Sequence, residues 1–187
     1  PNCIFLDSEH TEIDNDFISS SKNYFVKPTT NGSSLGISKV SNLKELQDAI
    51  YIAKQFSPAV IVEEAFDISE YTVAILDGKA LSPLEIKVDV PSGYYDFEAK
   101  YVSKKTQKLP ILNQKLIDEL KQLGLSAYRA HGCRGWARVD IVFNGEDYAV
   151  IEINTVPGFT RKSLFPFAAS HDGISYQDLI SRIIKSV

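Results

Sequence analysis

The sequence predicts an α+β fold, and three observations carry that expectation. The β-type runs meet at Asp77-Gly78 and Asn144-Gly145, the strongest short-range signals for hairpins. Helical and strand patterns come in mixed order with hairpins prominent, which favours antiparallel pairing over a doubly wound parallel sheet. The chain has 187 residues, 44% hydrophobic and 24% charged, enough for one sizeable core or two small lobes.

Taken in order, Cys3–Leu6 reads as a short strand and 7–16 as an acidic loop or weak helix. Tyr24-Phe25-Val26 is a strand ending at Lys27-Pro28, and 37–40 is a return strand after the hydroxyl-rich loop 29–36. A helix is expected over 43–56, capped by Asn42 with Glu45 three residues on, with Leu43, Leu46, Ile50 and Ala53 as its buried stripe. Strands follow at 59–64, 71–76 and 79–84. Residues 91–108 are polar and aromatic without a period and read as one long loop. An amphipathic helix over 113–131 closes at Gly132. A hairpin over 138–154 precedes a stretch, 155–173, that reads mostly as loop, and Ser175 caps a last helix over 176–184.

Composition narrows the function. A net charge of -4 offers no basic field for nucleic acid or an anionic membrane. No run approaches the roughly 18 apolar residues of a membrane span, and no signal peptide is visible. Cys3 and Cys133 make no disulfide framework, so a reducing cytoplasm is the expected location. Three histidines stand far apart without zinc-like spacing. The chain opens on Pro-Asn-Cys, without Met, as expected of a piece of a longer protein.

The hairpin carries the clearest chemistry. Alternation puts Arg138, Asp140 and Val142 on one face of its first strand and Val150, Glu152 and Asn154 on one face of the second. With Asp140 opposite Glu152, Arg138 falls opposite Asn154 and Val142 opposite Val150. That register calls for an odd loop, most simply Gly145-Glu146-Asp147. Two carboxylates about 4 Å apart repel by roughly 4 kcal/mol at an effective dielectric near 20, and a divalent cation reverses the sign. Asp, Glu and an amide oxygen are hard ligands suited to Mg2+ or Mn2+. A surface salt-bridge ladder to Arg138 is the plainer alternative.

Other groups are weaker alone. Lys27 beside the loop to Gly36 suits phosphate, although the pattern is no Walker loop and also reads as a surface turn. Glu63, Glu64 and Glu70 end or begin strands, where an acid can meet ribose hydroxyls or an adenine amino group, or simply face water. The run 94–101, with three tyrosines, a Phe and Lys100, looks like a lid or a loop pinned by its aromatics. Gly158 permits a positive φ and close approach to an oxyanion, or a simple turn.

Together these runs resemble one family. Lys27-Pro28 with 32–40, Glu63-Glu64, Tyr95 to Tyr101, Gly132 to Gly135, Arg138-Val139-Asp140 and Glu152 to Thr160 are, in that order, closely similar to D-alanine–D-alanine ligase, an ATP-grasp enzyme of peptidoglycan synthesis. The resemblance covers the chain from about Tyr24. It implies an ATP-grasp fold of two α+β lobes gripping ATP: residues 1–84 as the central lobe with its phosphate loop, and 85–187 as the lid and C-terminal lobe. It implies that Lys27 and Lys100 bind ATP phosphates, with Ser34 in the same nucleotide-binding set. Glu63 would meet the adenine amino group, Phe66 would pack by the base and Glu70 would hold the ribose. Asp140, Glu152 and Asn154 would hold two Mg2+ ions. Arg138 and the Gly158 N–H would stabilise an oxyanion, and Ser163 and Leu164 would receive the carboxylate of the second D-alanine. Ser33 and Tyr101 would join a network near the first.

The implied reaction is ATP-dependent joining of two D-alanines through an acyl phosphate. The family's N-terminal domain has no counterpart here, and a homodimer is compatible with the family. Arg161-Lys162 departs from the smaller or less charged residues frequent before Ser163. Two alternatives stay open: another ATP-grasp carboxylate–amine ligase, and a nucleotide-binding half that is inactive alone.

Overall fold

A computed structural model describes residues 1–10, 12–13, 15–30, 32, 34–88 and 106–186. Ser33, Lys100 and Tyr101, and with them the expected lid over 94–101, lie outside the described residues. The chain forms two compact units, one containing Pro1–Phe66 and the other Asp67–Lys87 with Gln107–Val187. Strands 69–76 and 79–80, on the first side of the division expected at 84, hydrogen-bond within the second unit, and strand 84–87 begins at that division.

The first unit is an antiparallel sheet of β1 (Cys3–Leu6), β4 (Val60–Glu64), β2 (Tyr24–Pro28) and β3 (Ser38–Val40), in that spatial order. Alternate residues Tyr24, Val26, Val60 and Val62 turn inward against Leu46, Ala49 and Ala53 of α2 (Leu43–Lys54). A short α1 (Asn15–Ser20) is tied to β2 by the Tyr24 hydroxyl, 2.7 Å from the Phe17 carbonyl. Asn42 caps α2 by accepting the Glu45 N–H at 3.0 Å. Glu45 reaches back to the Ser41 N–H at 2.9 Å, one residue before the cap. The buried stripe differs from expectation at Leu43, which is 56% exposed. Leu43 begins the first turn and lines a shallow pocket with Ile13 and Ile18, while Ala49 takes the inward place.

The second unit is built on an antiparallel sheet ordered β10 (Tyr148–Asn154), β9 (Trp136–Phe143), β5 (Ser69–Leu76), β7 (Leu84–Lys87) and β8 (Gln107–Pro110), with β6 (Lys79–Ala80) also paired to β5. Residues Tyr71, Val73 and Ile75 of β5 and Ala137, Val139 and Ile141 of β9 face α3 (Gln114–Ala130). Gly124 permits that approach, because a Cβ there would lie 3.1 Å from Val73 Cβ. The opposite face packs Ala74, Leu76 and Leu84 against α4 (Leu164–His171) and α5 (Tyr176–Lys185) through Phe165, Ala168 and Leu179.

Three expectations change here. The strand expected over 79–84 stops at Ala80, and β7 starts at Leu84, because Pro83 has no N–H to offer a ladder. The last residues of the expected long loop form β8. Within 155–173, α4 forms despite Pro166, which sits in the first turn where its missing N–H costs no helical bond. Among the described residues no helix is long and apolar enough to cross a membrane.

Candidate active site

The site begins with the β9–β10 hairpin. Its loop has four residues, Asn144 to Asp147, closed by Asn144 N–H donating to the Asp147 carbonyl at 3.2 Å. The Asn144 side chain accepts the N–H groups of Glu146 and Asp147 at 2.9 and 2.7 Å, which fixes the turn. An even loop by itself would carry Glu152 to the wrong face. A β-bulge between Val150 and Glu152 restores the parity: Val150 pairs with Ile141 and Glu152 with Asp140. Asp140 and Glu152, and Arg138 and Asn154, therefore stand opposite each other as expected. Val142 instead faces Ala149, and the loop is longer than the odd one the sequence suggested.

The neighbouring strand extends this face. Thr72 of β5 pairs with Asp140, Ala74 with Arg138 and Glu70 with Val142. Period-2 alternation therefore puts Glu70 and Thr72 on the face that carries Asp140, Arg138, Glu152 and Asn154.

Asp140 is the hub, with 4% of its surface exposed. Its Oδ1 accepts Thr72 Oγ1 at 2.7 Å and Arg138 Nε at 2.8 Å. Its Oδ2 accepts Arg138 Nη2 at 2.6 Å and Asn154 Nδ2 at 3.1 Å. Because the Asn154 amide points its NH2 at Asp140, its oxygen lies on the other arm, turned away from that carboxylate. Glu152 is exposed. Two carboxylates and an amide on one sheet face are a hard donor set that fits Mg2+. Among the described residues no three His, Cys, Asp or Glu side chains form a group that could hold a metal ion.

The turn after β10 is anchored by aromatics. Trp136 meets Phe159 and Phe165 edge-on, each at 5.3 Å between centroids. Gly158 does not use a positive φ. Its role is close approach, since a Cβ there would lie 3.3 Å from Ser163 Oγ. Ser163 Oγ accepts the Thr160 N–H at 3.0 Å, and Ser163 occupies the N-cap of α4 without a side-chain cap bond. Leu164 is buried, so what it can offer a ligand is the backbone N–H of the first helical turn. Arg161 stacks 4.6 Å over Tyr176, whose hydroxyl donates to the Phe159 carbonyl at 2.7 Å.

Lys108 of β8, not singled out in the sequence, donates to the Lys162 carbonyl and lies 5.6 Å from the Phe167 ring centre. Burial, and then the nearby Lys162 charge, hold its pKa below the ordinary lysine value.

In the first unit, Lys27 of β2 and Glu63 of β4 form an ion pair, and Lys27 Nζ is 5.6 Å from the Phe25 ring centre. Ser34 has φ 58, a left-handed conformation uncommon for a residue with a Cβ. Gly36 follows at φ 76, where a Cβ would come within 2.6 Å of the Phe56 ring. Phe66 is half-buried at the end of this unit.

Thr72 is the residue on the site face that sequence reading passed over. It sits in an apolar β run and looks like packing. The signal was its place two residues after Glu70, on the same face.

Solved structures share this architecture. A D-alanine–D-alanine ligase from Bacillus anthracis complexed with ATP superposes with a TM-score of 0.83 at 26% identity, covering 100% of this chain and 59% of that one. A second structure of the Bacillus anthracis ligase gives 0.86 at 30% identity, covering 100% and 61%. The VanG D-Ala:D-Ser ligase from Enterococcus faecalis gives 0.81 at 27%, covering 99% and 56%. The fold is thus the α+β ATP-grasp architecture of carboxylate–amine ligases.

A family model described as the C-terminus of D-Ala–D-Ala ligase matches residues 8–185, and the chain belongs to that family. Among its relatives, a D-alanine–D-alanine ligase of Vesicomyosocius okutanii is 45% identical over 87% of this chain and 56% of its own length. Another, of Glaesserella parasuis, is 41% identical over 86% and 53%. The chain spans about half the length of the curated relatives it matches.

Proposed function

We propose that this chain supplies the nucleotide, cation and second-substrate residues of an ATP-dependent D-alanine–D-alanine ligase acting in peptidoglycan precursor synthesis. The observation that carries the reading is the single sheet face that carries Arg138, Asp140, Glu152 and Asn154 in register, with Arg138 and Asn154 bonded to Asp140.

In this reading Asp140, Glu152 and Asn154 hold two Mg2+ ions, or Mn2+ in their place. The bound cation supplies Lewis-acid stabilisation of phosphate oxygens. Lys27 and Lys100 bind ATP phosphates, Ser34 belongs to the same nucleotide-binding set, Glu63 and Phe66 meet the adenine, and Glu70 holds the ribose hydroxyls. The first D-alanine carboxylate attacks the γ-phosphorus, giving an acyl phosphate and ADP. The amine of the second D-alanine then attacks the acyl carbon, a C–N bond forms, phosphate leaves with the C–O electron pair, and the proton shed by the nitrogen passes to the departing phosphate. Arg138 and the Gly158 N–H stabilise the charge that develops on the acyl oxygen. Ser163 Oγ and the Leu164 N–H receive the second carboxylate at the positive end of α4. Ser33 and Tyr101 belong to the network around the first D-alanine. The cytoplasm, which supplies ATP and keeps Cys3 and Cys133 reduced, is the compartment the reading implies.

A second reading is favoured by length. The chain spans 56% of one relative and 53% of another; in this reading it acts as the nucleotide-binding half of the machinery, and turnover requires a partner domain. Calorimetry with Mg·ATP, together with ADP release on adding D-alanine, separates the two. Binding with D-alanine-dependent ADP release supports the complete ligase. Binding without it supports the half-enzyme. No Mg·ATP binding refutes both.

A further inference from the structure

Thr72 is 1% exposed on β5, between β9 and β7 in the middle of the sheet. Its neighbours along the strand are Tyr71, Val73, Ala74 and Ile75, all buried. Valine has nearly the same shape and adds no hydroxyl to satisfy, so packing alone does not call for threonine here. A buried hydroxyl costs stability unless it is bonded. Thr72 Oγ1 meets that demand at one place, Asp140 Oδ1, at 2.7 Å directly across the ladder.

Three side chains orient the Asp140 carboxylate. Arg138 and Asn154 are two of them, and the proposed reaction gives each a second duty, one toward the acyl oxygen and one toward the cation. When those side chains turn to their ligands, Thr72 is the donor that stays. It is neutral, so it fixes the plane of Asp140 without competing with a cation for the negative charge. A short side chain on a strand paired on both sides has little freedom to leave. Oδ1 accepts Thr72 Oγ1 and Arg138 Nε, whereas both donors of Oδ2, Arg138 Nη2 and Asn154 Nδ2, belong to side chains with a second duty, so Oδ2 is the oxygen freed when they turn.

We propose that Thr72 is a positioning residue for cation binding, holding Asp140 by Oδ1 so that Oδ2 is presented to Mg2+. The proposal rests on the reading of Asp140 as a metal ligand. Mn2+ binding to the chain, followed by electron paramagnetic resonance with and without ATP, tests it. Thr72→Val should weaken Mn2+ binding about ten-fold, the usual consequence of losing an outer-shell partner. Thr72→Ser, which keeps the hydroxyl, should stay within about two-fold of wild type, because the charge-assisted bond survives. Asp140→Asn should weaken binding at least as much as Thr72→Val.

If Thr72→Val binds like wild type while Asp140→Asn does not, the role of Thr72 is overturned and the metal assignment stands. If Thr72→Ser fails as badly as Thr72→Val, the loss comes from packing and the proposal falls. If Asp140→Asn binds normally, the metal reading itself is wrong. Should Thr72→Val not fold, Thr72→Ala removes the same hydroxyl without adding bulk and is read the same way.

Discussion

Asp140 and Glu152 are assigned the same chemistry but stand in different surroundings, so their amide variants should part company in stability. Asp140→Asn removes the negative charge from a nearly closed site. The new NH2 group, wherever it turns, faces at least one donor among Arg138 Nε, Arg138 Nη2, Asn154 Nδ2 and Thr72 Oγ1. Breaking a buried pair costs about 3–5 kcal/mol. Retention of Thr72 and one Arg138 bond on the amide oxygen puts this case near the lower figure, about 3 kcal/mol. Glu152→Gln changes an exposed side chain and should cost less than about 0.5 kcal/mol.

The assay is urea unfolding followed by tryptophan fluorescence. Trp136 is the sole tryptophan of the chain and packs between Phe159 and Phe165, so the signal reports the second unit. With a slope of about 1.5 kcal/mol/M, Asp140→Asn should lower the midpoint by about 2 M and Glu152→Gln by less than about 0.3 M. Both should weaken Mg·ATP binding at least about ten-fold by calorimetry. Equal midpoints for the two variants would refute the hub geometry. Unchanged Mg·ATP affinity in both would sink the metal assignment.

Three other perturbations have definite outcomes. Deleting Ile151 removes the bulge residue while leaving Glu152 opposite Asp140 in a regular ladder, so Mg·ATP binding should survive; its loss in a folded protein would refute the parity account. Burial, with smaller contributions from Cys133 and Asp77 at Tyr128 and from Tyr71 and Glu119 at Tyr148, raises both phenol pKa values. Their stabilisation is therefore complete below the unfolded value near pH 10 and lost as pH rises through the folded values. The Trp136 unfolding midpoint should fall on that limb, and the double Phe variant should lose the fall. The same fall in the double variant would exclude the tyrosines as its source. Gly36→Ala forces a Cβ into the left-handed region, at about 1–2 kcal/mol, and against Phe56. Amide exchange in β2 and α2 should quicken, and unchanged exchange would refute the close packing of that loop.

The sequence made the hairpin legible because its polar residues break an apolar β pattern at intervals of two, which a packed core does not explain. It placed Asp140 opposite Glu152 and Arg138 opposite Asn154 for the wrong reason, and it misplaced Val142, which pairs with Ala149. Loop length and bulge cancel in their effect on which face Glu152 takes, and a pattern of alternation reports only the sum. β8 was hidden because its strand carries Gln107 and Lys108, polar residues on a weakly buried edge. α4 was hidden because its apolar run is buried nearly all round and includes a proline, so no helical period shows. Leu43 fits a helical stripe by spacing alone, but a stripe is buried only where the sheet extends beneath it.

One consequence joins the two chemical steps of the proposed reaction. The carboxylate assigned to the cation is the same carboxylate that orients Arg138, which is assigned to the oxyanion. An i, i+2 pair on one strand face cannot move independently in backbone position, and its side chains share one buried volume. In the proposed reaction, a change at Asp140 would therefore disturb phosphoryl transfer through the cation and amide formation through Arg138 at once. Single substitutions there will overstate the share of either step. A double-mutant cycle between Asp140 and Arg138, read separately in Mg·ATP affinity and in the fate of the acyl phosphate, is the measurement that apportions them. If the two readouts show no coupling, the hydrogen bonds seen between these residues carry no energetic link between the steps.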